Sequence, residues 1–211
     1  MPLSLIGLPG AGKTTIGLFL SSELTWPLFQ LGRELRRLGR EDEALAQQLA
    51  SGALGPESLV ARLVEDAVEE SEGRVILDGY PRHLDQLAPL LNRRSACFIT
   101  FEVPIATAAS RVRRRRTCMD CDAPVQPSAM NCNVCGSAST SQRPEDMVPE
   151  LDQRLRKAQR LLAPLVAAAP EERTARLSAN RDLESVKESA LTAARRLLDA
   201  SGEKSGAGQC Q

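Results

Sequence analysis

The chain has 211 residues, of which 42% are hydrophobic and only 3% aromatic, and it carries 27 basic and 27 acidic side chains. This length suits one core with insertions, built from Leu, Val, Ile and Ala. A formal net charge of zero argues against nucleic acid or a membrane surface as the partner. No apolar run reaches membrane-spanning length, and the N-terminus lacks the basic region and cleavage site of a signal peptide. We therefore expect a cytoplasmic protein.

The first motif joins a predicted strand to a predicted helix near the N-terminus. An apolar run at residues 3–6 precedes Gly7-Leu8-Pro9-Gly10-Ala11-Gly12-Lys13-Thr14, which fits G-x-x-x-x-G-K-[ST], the loop that binds phosphates. The glycines let successive backbone N–H groups point inward, and the following helix adds the positive end of its dipole. Lys13 would reach the β- and γ-phosphates, and the Thr14 hydroxyl could bind Mg²⁺. The motif predicts binding of a nucleoside triphosphate.

Beyond this loop, helical and strand patterns alternate. Residues 26–30 form a short apolar link, and Pro56 suits the first turn of a helix. A buried-type strand at 74–77 leads into the turn Asp78-Gly79-Tyr80-Pro81-Arg82. Helices are predicted at residues 33–38, 41–50, 84–91 and 104–114, and three more begin near residues 56, 149 and 183. Further strands are predicted at 96–103 and 174–178.

This alternation predicts an α/β fold with a parallel sheet covered on both faces. Ligands bind such sheets at the carboxyl ends of the strands, where both the phosphate loop and Asp78 fall. A strand-end aspartate is often only a cap, but beside a phosphate loop it is typical of Mg²⁺ binding. Residues 115–147 lack helical periodicity and are polar and cysteine-rich, and residues 201–211 are expected to form a disordered tail.

Two C-x-x-C pairs lie ten residues apart within this polar segment. Four thiolates would complete the tetrahedral shell of a structural Zn²⁺ and leave no position open for chemistry. Two disulfides are the alternative, which a cytoplasmic setting disfavours. Asp122 and Gly136 follow the two pairs and tolerate left-handed backbone. The four predicted ligands are Cys118, Cys121, Cys132 and Cys135.

Arginines occur in several separate places, and phosphoryl transfer needs positive groups around the moving phosphoryl. The chain contains several short motifs in a fixed order. They are Gly7–Lys13, Leu77–Arg82 with Gln86, Arg111-x-x-x-Arg115, Gln142-Arg143-Pro144-Glu145-Asp146, Gln153-Arg154-Leu155 and Ala163-Pro164-Leu165. Through these motifs, which span nearly the whole chain, the sequence resembles the adenylate kinases of the bacterial type with a long, zinc-binding lid.

The resemblance implies a P-loop three-layer fold that transfers the γ-phosphoryl group of Mg-ATP to AMP. The core would cover residues 1–200, with a helical monophosphate-binding segment at 30–58 and a zinc-ribbon-like lid inserted at 115–147. Glu145 and Asp146 would orient the lid arginines, Gln86 would bond the acceptor base, and Arg111 would stack on the adenine of ATP. ATP binding is implied for Gly7, Gly10, Ala11, Gly12, Lys13, Thr14, Thr15, Arg111 and Arg115. Monophosphate binding is implied for Gly32, Arg36, Gly79, Arg82, Gln86, Arg143 and Arg154. Catalysis is implied for Lys13, Arg82, Arg115, Arg143 and Arg154, and Mg²⁺ binding for Thr14 and Asp78.

Three stretches depart from the family pattern. Leu31-Gly32-Arg33 stands where Ser/Thr-Gly-Asp is usual, Glu145 replaces an aspartate, and residues 177–180 replace a glycine-bearing turn. Two alternatives follow: a kinase for another (deoxy)nucleoside monophosphate such as UMP or CMP, or a catalytically weak nucleotide-regulated binding protein that uses its zinc ribbon as an interaction surface.

The arginine run 111–116 could indicate nucleic acid, but the neutral chain and the absence of stacking aromatics there argue against it. The expected partners are small-molecule nucleotides, with no nucleic acid and no membrane, and the expected state is a monomer. His83 is interpreted as a residue at the edge of the site, and Cys97 as a small core residue.

Overall fold

The computed structural model describes residues 1–94, 96–126, 128–147 and 149–200, and these residues form eight strands and eight α-helices. The predicted tail at 201–211, with Cys210, lies outside these residues. Strands β1 to β8 are Leu3–Gly7, Leu28–Gln30, Ile76–Asp78, Cys97–Glu102, Arg116–Cys118, Pro124–Val125, Thr140–Ser141 and Thr174–Ser178. Helices α1 to α8 are Lys13–Leu24, Leu31–Gly39, Glu43–Ala50, Glu57–Glu70, Leu87–Arg94, Ile105–Arg114, Leu151–Ala168 and Leu183–Ala200.

Five strands form one parallel sheet in the order β2-β3-β1-β4-β8. Strand β1 is central, and its Leu5 pairs with Asp78 of β3 on one side and with Ile99 of β4 on the other. The chain therefore leaves β1 and β3 at neighbouring positions on the same edge of the sheet. This arrangement confirms the predicted α/β fold class.

The central strands bury side chains on both faces, because helices cover both. Leu3 and Leu5 face a cluster that includes Ile16 of α1 and Ala194 of α8. Ile6 faces the opposite cluster, together with residues of α4, α5 and α7. Burial of a leucine or isoleucine side chain contributes roughly 1.5–3 kcal/mol, so these two apolar layers hold the sheet edge in place.

Most predicted elements are confirmed, and the strand Thr174–Ser178 has the predicted bounds. The interpretation of residues 26–30 as a simple link is wrong, since Leu28–Gln30 pairs in parallel with β3. A three-residue strand has too little sequence to reveal a period, and its partner in the sheet decides its conformation. The helix predicted at 84–91 begins instead as a 3₁₀ turn, Leu84–Gln86, before α5.

The segment predicted as a lid contains a second sheet, antiparallel and ordered β6-β5-β7. Its apolar cluster is small and includes Cys118, Ala123, Val125 and Cys132. So few apolar side chains give little stabilisation, and such small units commonly depend on a bound metal. Among the described helices, none combines the length and apolarity needed to cross a membrane.

Candidate active site and metal centre

The phosphate-binding motif forms the turn between β1 and α1. Gly10 and Gly12 have φ values of 84° and 91°, which only glycine adopts at low cost. A Cβ at Gly10 would lie 2.5 Å from the carbonyl oxygen of Ala108, so the loop packs closely against α6. A Cβ at Gly12 would meet no atom within 4 Å. The loop therefore keeps open space above the N-terminus of α1, where an anion is favoured.

Lys13 is the first residue of α1, and its side chain turns back onto this loop. Its Nζ donates hydrogen bonds to the carbonyl oxygens of Gly7 at 2.8 Å and Leu8 at 3.0 Å. Burial lowers the pKa of the ammonium to about 8; the Asp78 carboxylate opposes the shift, and three nearby guanidinium groups add to it. The ammonium is thus held at the loop in surroundings that favour its pairing with an anion.

The side-chain oxygen atoms of Thr14 and Asp78 lie in contact beside this lysine. The Thr14 hydroxyl donates to Asp78 Oδ2 at 2.5 Å, although 64 residues separate them in sequence. The Asp78 carboxylate is buried at the end of β3. Hydroxyl and carboxylate oxygens are the ligands of hard cations such as Mg²⁺, so this pair fits the predicted magnesium site.

The second predicted turn follows β3 directly. Gly79 has φ 80°, and its carbonyl accepts a hydrogen bond from Arg82 Nε at 2.8 Å. The backbone N–H of Arg82 donates to Gln86 Oε1 at 2.7 Å. Burial lowers the pKa of Arg82, and a guanidinium in such surroundings gains more from an anionic partner. The turn therefore presents a fixed cation next to the phosphate loop.

Glu57, which the sequence reading did not single out, supports this turn from the start of α4. Its Oε2 accepts from Gln86 Nε2 at 3.0 Å, and its Oε1 lies 2.9 Å from His83 Nε2. Burial would raise the pKa of Glu57, but its hydrogen bonds to Gln86 and His83 lower it overall. No local motif marks this glutamate, because its partners are 26 and 29 residues away.

Two of the predicted arginines, Arg115 and Arg154, pair with one buried acid, Asp146. Arg115 forms a bidentate pair with it, with Nε and Nη2 donating at 2.8 and 2.7 Å. Arg154 donates to the same carboxylate at 3.3 Å and to the carbonyl of Glu145. Arg143 Nε donates to the Thr117 hydroxyl at 3.0 Å, and burial lowers its pKa.

Three further predicted residues have distinct surroundings. Arg36 Nε lies 3.2 Å from the Asp122 carboxylate, and its Nη1 lies 3.6 Å from Glu145. Arg111 Nη2 donates to the carbonyl of Ala179 at 2.9 Å, which joins α6 to the loop after β8. Arg33, part of the stretch that departs from the expected Ser/Thr-Gly-Asp pattern, is exposed and lines a cleft together with Gly32 and Arg36.

One cleft of about 1080 Å³ brings most of these residues together. Its volume is slightly above the range of typical small-ligand pockets, about 300–1,000 Å³. Ala11 and Gln86 do not line it: Ala11 packs in the core, and the amide of Gln86 bonds Arg82 and Glu57. The predicted residues on its walls are Gly7, Gly10, Gly12, Lys13, Thr14, Thr15, Gly32, Arg36, Asp78, Gly79, Arg82, Arg111, Arg115, Arg143 and Arg154.

The four cysteines of the lid segment form a compact cluster, with all four sulfur atoms within 4.8 Å of one another. The Sγ–Sγ distances are 3.5 Å for Cys118–Cys135 and 3.6 Å for Cys121–Cys132. A tetrahedral ion with ligands at about 2.3 Å spaces its sulfurs roughly 3.8 Å apart, whereas a disulfide needs about 2.05 Å. The geometry therefore fits a metal rather than two disulfides.

Backbone N–H groups lower the pKa of the Cys118 and Cys132 thiols, whereas burial raises the pKa of the Cys121 thiol. The N–H groups of Cys135 and Val134 lower the pKa of the Cys132 thiol to about 7, because they stabilise its ionised form. Asp122 and Gly136, which follow the two pairs, have φ values of 59° and 76°. The predicted turn chemistry after each pair is confirmed, and the four cysteines could hold one metal ion.

Comparison with known proteins agrees with this geometry. A family model described as an AAA domain matches residues 6–124. A protein named adenylate kinase from Syntrophotalea carbinolica is 32% identical over 79% of this chain and 85% of its own length. Proteins of the same name from Gloeobacter violaceus and from Thermoanaerobacter sp. are 31% and 28% identical, over 78% and 88% of this chain and 84% and 94% of their own lengths.

Proposed function

The chain belongs to the adenylate kinase family, and we propose that it transfers the γ-phosphoryl group of ATP directly to AMP, giving two ADP. One observation carries this proposal: the phosphate loop and the Asp78–Arg82 turn leave neighbouring parallel strands and open into the same cleft. A phosphate loop alone is shared by many chemistries, whereas a second cationic turn beside it supplies a place for an acceptor phosphate.

In this mechanism the loop and Lys13 bind the β- and γ-phosphates of ATP, and Arg36 and Arg82 bind the phosphate of AMP. An oxygen of the AMP phosphate attacks the γ-phosphorus in line, and the bond to the β–γ bridging oxygen breaks. The attacking phosphate is already anionic, so no general base is required. Arg115, Arg143 and Arg154 neutralise the charge that spreads over the moving group.

Magnesium would be held by Thr14 and Asp78 together with the phosphates. When bound, the ion neutralises phosphate charge and fixes the donor geometry. The protein itself holds the Thr14 hydroxyl, in the first turn of α1, 2.5 Å from the Asp78 carboxylate at the end of β3.

Zinc is the metal that we propose for the four-cysteine cluster. Four protein thiolates give a closed shell, so the ion supplies stability to the lid and no reaction step. It would join the turn after β5 to the loop before β7, where the apolar cluster is small.

The lid would also exclude water from the transferring phosphoryl, which prevents wasteful hydrolysis of ATP. Closure of this kind is a general device, and adenylate kinases are among its established examples. The names of the relatives favour AMP over UMP, CMP or a deoxynucleotide as acceptor. We also propose a cytoplasmic monomer that binds small nucleotides and no nucleic acid.

The test is an acceptor panel with purified protein, Mg-ATP and individual nucleoside monophosphates, scored by diphosphate formation. ADP should form with AMP, and Lys13→Ala should reduce turnover by at least roughly 10²–10³-fold, the usual cost of losing one charge-stabilising donor. Arg37→Ala is the matched control, since Arg37 is exposed and pairs with Glu34 on its own helix.

Calorimetry with ATP separates the alternatives. A wild-type protein that binds ATP but forms no diphosphate with any monophosphate would refute the kinase assignment and favour a nucleotide-regulated binding protein. Turnover with UMP or CMP in preference to AMP would keep the reaction class and replace the acceptor.

A further inference from the structure

The turn after the first cysteine pair contacts the helix that carries Arg36. Asp122 Oδ1 lies 3.2 Å from Arg36 Nε, and its Oδ2 lies 3.8 Å from Arg40 Nη2. Arg40 Nη2 also donates to the carbonyl of Met119 at 3.0 Å. Three contacts therefore connect residues 119–122 of the lid segment to Arg36 of α2 and to Arg40, the residue that follows this helix.

The position of Asp122 is set by the cysteine turn itself. Asp122 directly follows Cys121, has φ 59°, and its backbone N–H donates to the carbonyl of Cys118 at 3.0 Å. Its side chain is only 12% exposed. The constrained backbone fixes the point from which the side chain projects, and the burial of the carboxylate is tolerated because cations face it.

The contact leaves Arg36 able to bind an anion. Asp122 accepts from Nε, on one edge of the guanidinium, while Nη1 lies beside Gly32 and 3.6 Å from Glu145 Oε1. Because a guanidinium offers five N–H donors in a planar fork, one carboxylate on the Nε edge fixes the plane and leaves donors for a phosphate. The absence of a side chain at Gly32 keeps the space beside Nη1, where a Cβ would come within 3.3 Å.

The pair also differs from an ordinary surface ion pair. Arg36 and Asp122 side chains are 20% and 12% exposed, whereas Arg37 and Glu34 on the same helix are 55% and 29% exposed. Exposed pairs contribute little because water screens them and both side chains lose freedom. The shielded pair is held between two structural elements, so it can orient both.

We propose that Asp122 is a positioning residue for the acceptor: it orients Arg36 and couples the cysteine cluster of the lid to α2. The acceptor part of this inference rests on the proposed function, in which Arg36 binds the AMP phosphate. The coupling between the lid segment and α2 rests on the contacts of Asp122 and does not require that Arg36 binds AMP.

The test compares Asp122→Asn and Asp122→Gly with the wild type. Asn keeps the shape and removes the charge, and Gly suits the left-handed backbone, so neither variant should disturb folding. Both should raise KM for AMP about tenfold and leave KM for ATP within twofold, because only the acceptor side loses its oriented guanidinium. Asp120→Asn, an exposed acid in the same turn, is the matched control and should match the wild type.

A distance measurement supplies the readout that does not depend on activity. Fluorophores introduced through noncanonical amino acids at Ala44 of α3 and Met130 of the lid, both exposed, report the separation of the two segments. In protein without nucleotide, energy transfer should fall in Asp122→Asn relative to the wild type. Zinc measured in the same samples should stay equal in the two proteins.

The outcomes separate the two claims. Unchanged KM for AMP and unchanged energy transfer in Asp122→Asn would overturn the inference, as would a loss of zinc that accounts for the change. A wild type that fails to phosphorylate AMP refutes the proposed function, and the energy-transfer comparison then still decides whether Asp122 joins the lid to α2.

Discussion

At the scale of single residues, Lys13 has the most informative surroundings. Its ammonium bonds two loop carbonyls, and burial lowers its pKa to about 8, against an ordinary value of 10.5. Three arginines contribute to this shift. A phosphate bound at the loop would bring negative charge close to the ammonium and raise its pKa again. Binding of ATP should therefore be linked to proton uptake above neutral pH.

The sign of this linkage is definite. Well below pH 8 the free protein already holds the proton on Lys13, so binding takes up none. Above pH 8 the free ammonium has lost its proton, the bound form regains it, and the affinity for ATP falls as pH rises. With a free pKa of about 8, the uptake per ATP should be about a quarter of a proton at pH 7.5 and about nine-tenths at pH 9.

Calorimetry in buffers with different ionisation enthalpies measures this uptake. Lys13→Arg is the control, since a guanidinium stays charged at both pH values and should bind ATP without a proton. Equal uptake at pH 7.5 and pH 9 in the wild type would contradict the assignment of the shifted group.

At the scale of elements, the lid segment depends on its cysteine cluster more than on its sheet. Strands β5, β6 and β7 have only three, two and two residues. The apolar cluster beneath them includes two of the cysteines. A metal that joins four positions at once would supply the constraint that such short strands cannot.

Replacing Cys132 by Ser should therefore remove the metal and destabilise the lid. We expect zinc content to fall from about one per chain to well below that value, and the midpoint of thermal unfolding to fall by roughly 5–10 °C. Elemental analysis and calorimetry check both. Cys210→Ser, at a cysteine that belongs to neither C-x-x-C pair, should change neither, and full stability in chelator without bound metal would refute a structural zinc site.

At the scale of the whole molecule, charge is balanced overall and concentrated locally. The formal net charge is zero, yet the described residues that line the cleft include twelve Lys and Arg side chains and only two acids, Asp78 and Glu145. Cations gathered in a partly enclosed space raise the local potential far above that of the average surface. The affinity for nucleotides should thus depend on salt in a way that the net charge does not suggest.

Raising NaCl from 50 to 500 mM should weaken ATP binding by about tenfold, because the screening length shrinks from roughly 14 Å to about 4 Å. Calorimetric titration at fixed Mg²⁺ and pH measures this effect. Sucrose at equal osmolality should leave the affinity unchanged. An affinity that is independent of NaCl would mean that backbone N–H groups, not the cationic walls, dominate binding.

Several features of the protein could be predicted from sequence because they depend on residues close together along the chain. The loop Gly7–Thr14 carries its glycines and lysine at adjacent positions, and the two C-x-x-C turns each place two thiols by local backbone geometry. Alternating apolar strands and helices likewise predict the parallel sheet. The resemblance then assigned roles to separate arginines, and fifteen of the predicted residues line one cleft.

Other features were decided only by tertiary contacts. Strand β2 forms because β3 offers a partner, Glu57 supports the second turn through Gln86, and Asp122 meets Arg36 across 86 residues of sequence. The pKa of Lys13 depends on its burial and on the charges of Asp78 and three arginines around it. Local sequence determines which backbone turns form and which chemical groups they carry, whereas pairing, burial and electrostatic coupling depend on distances that only the folded chain sets.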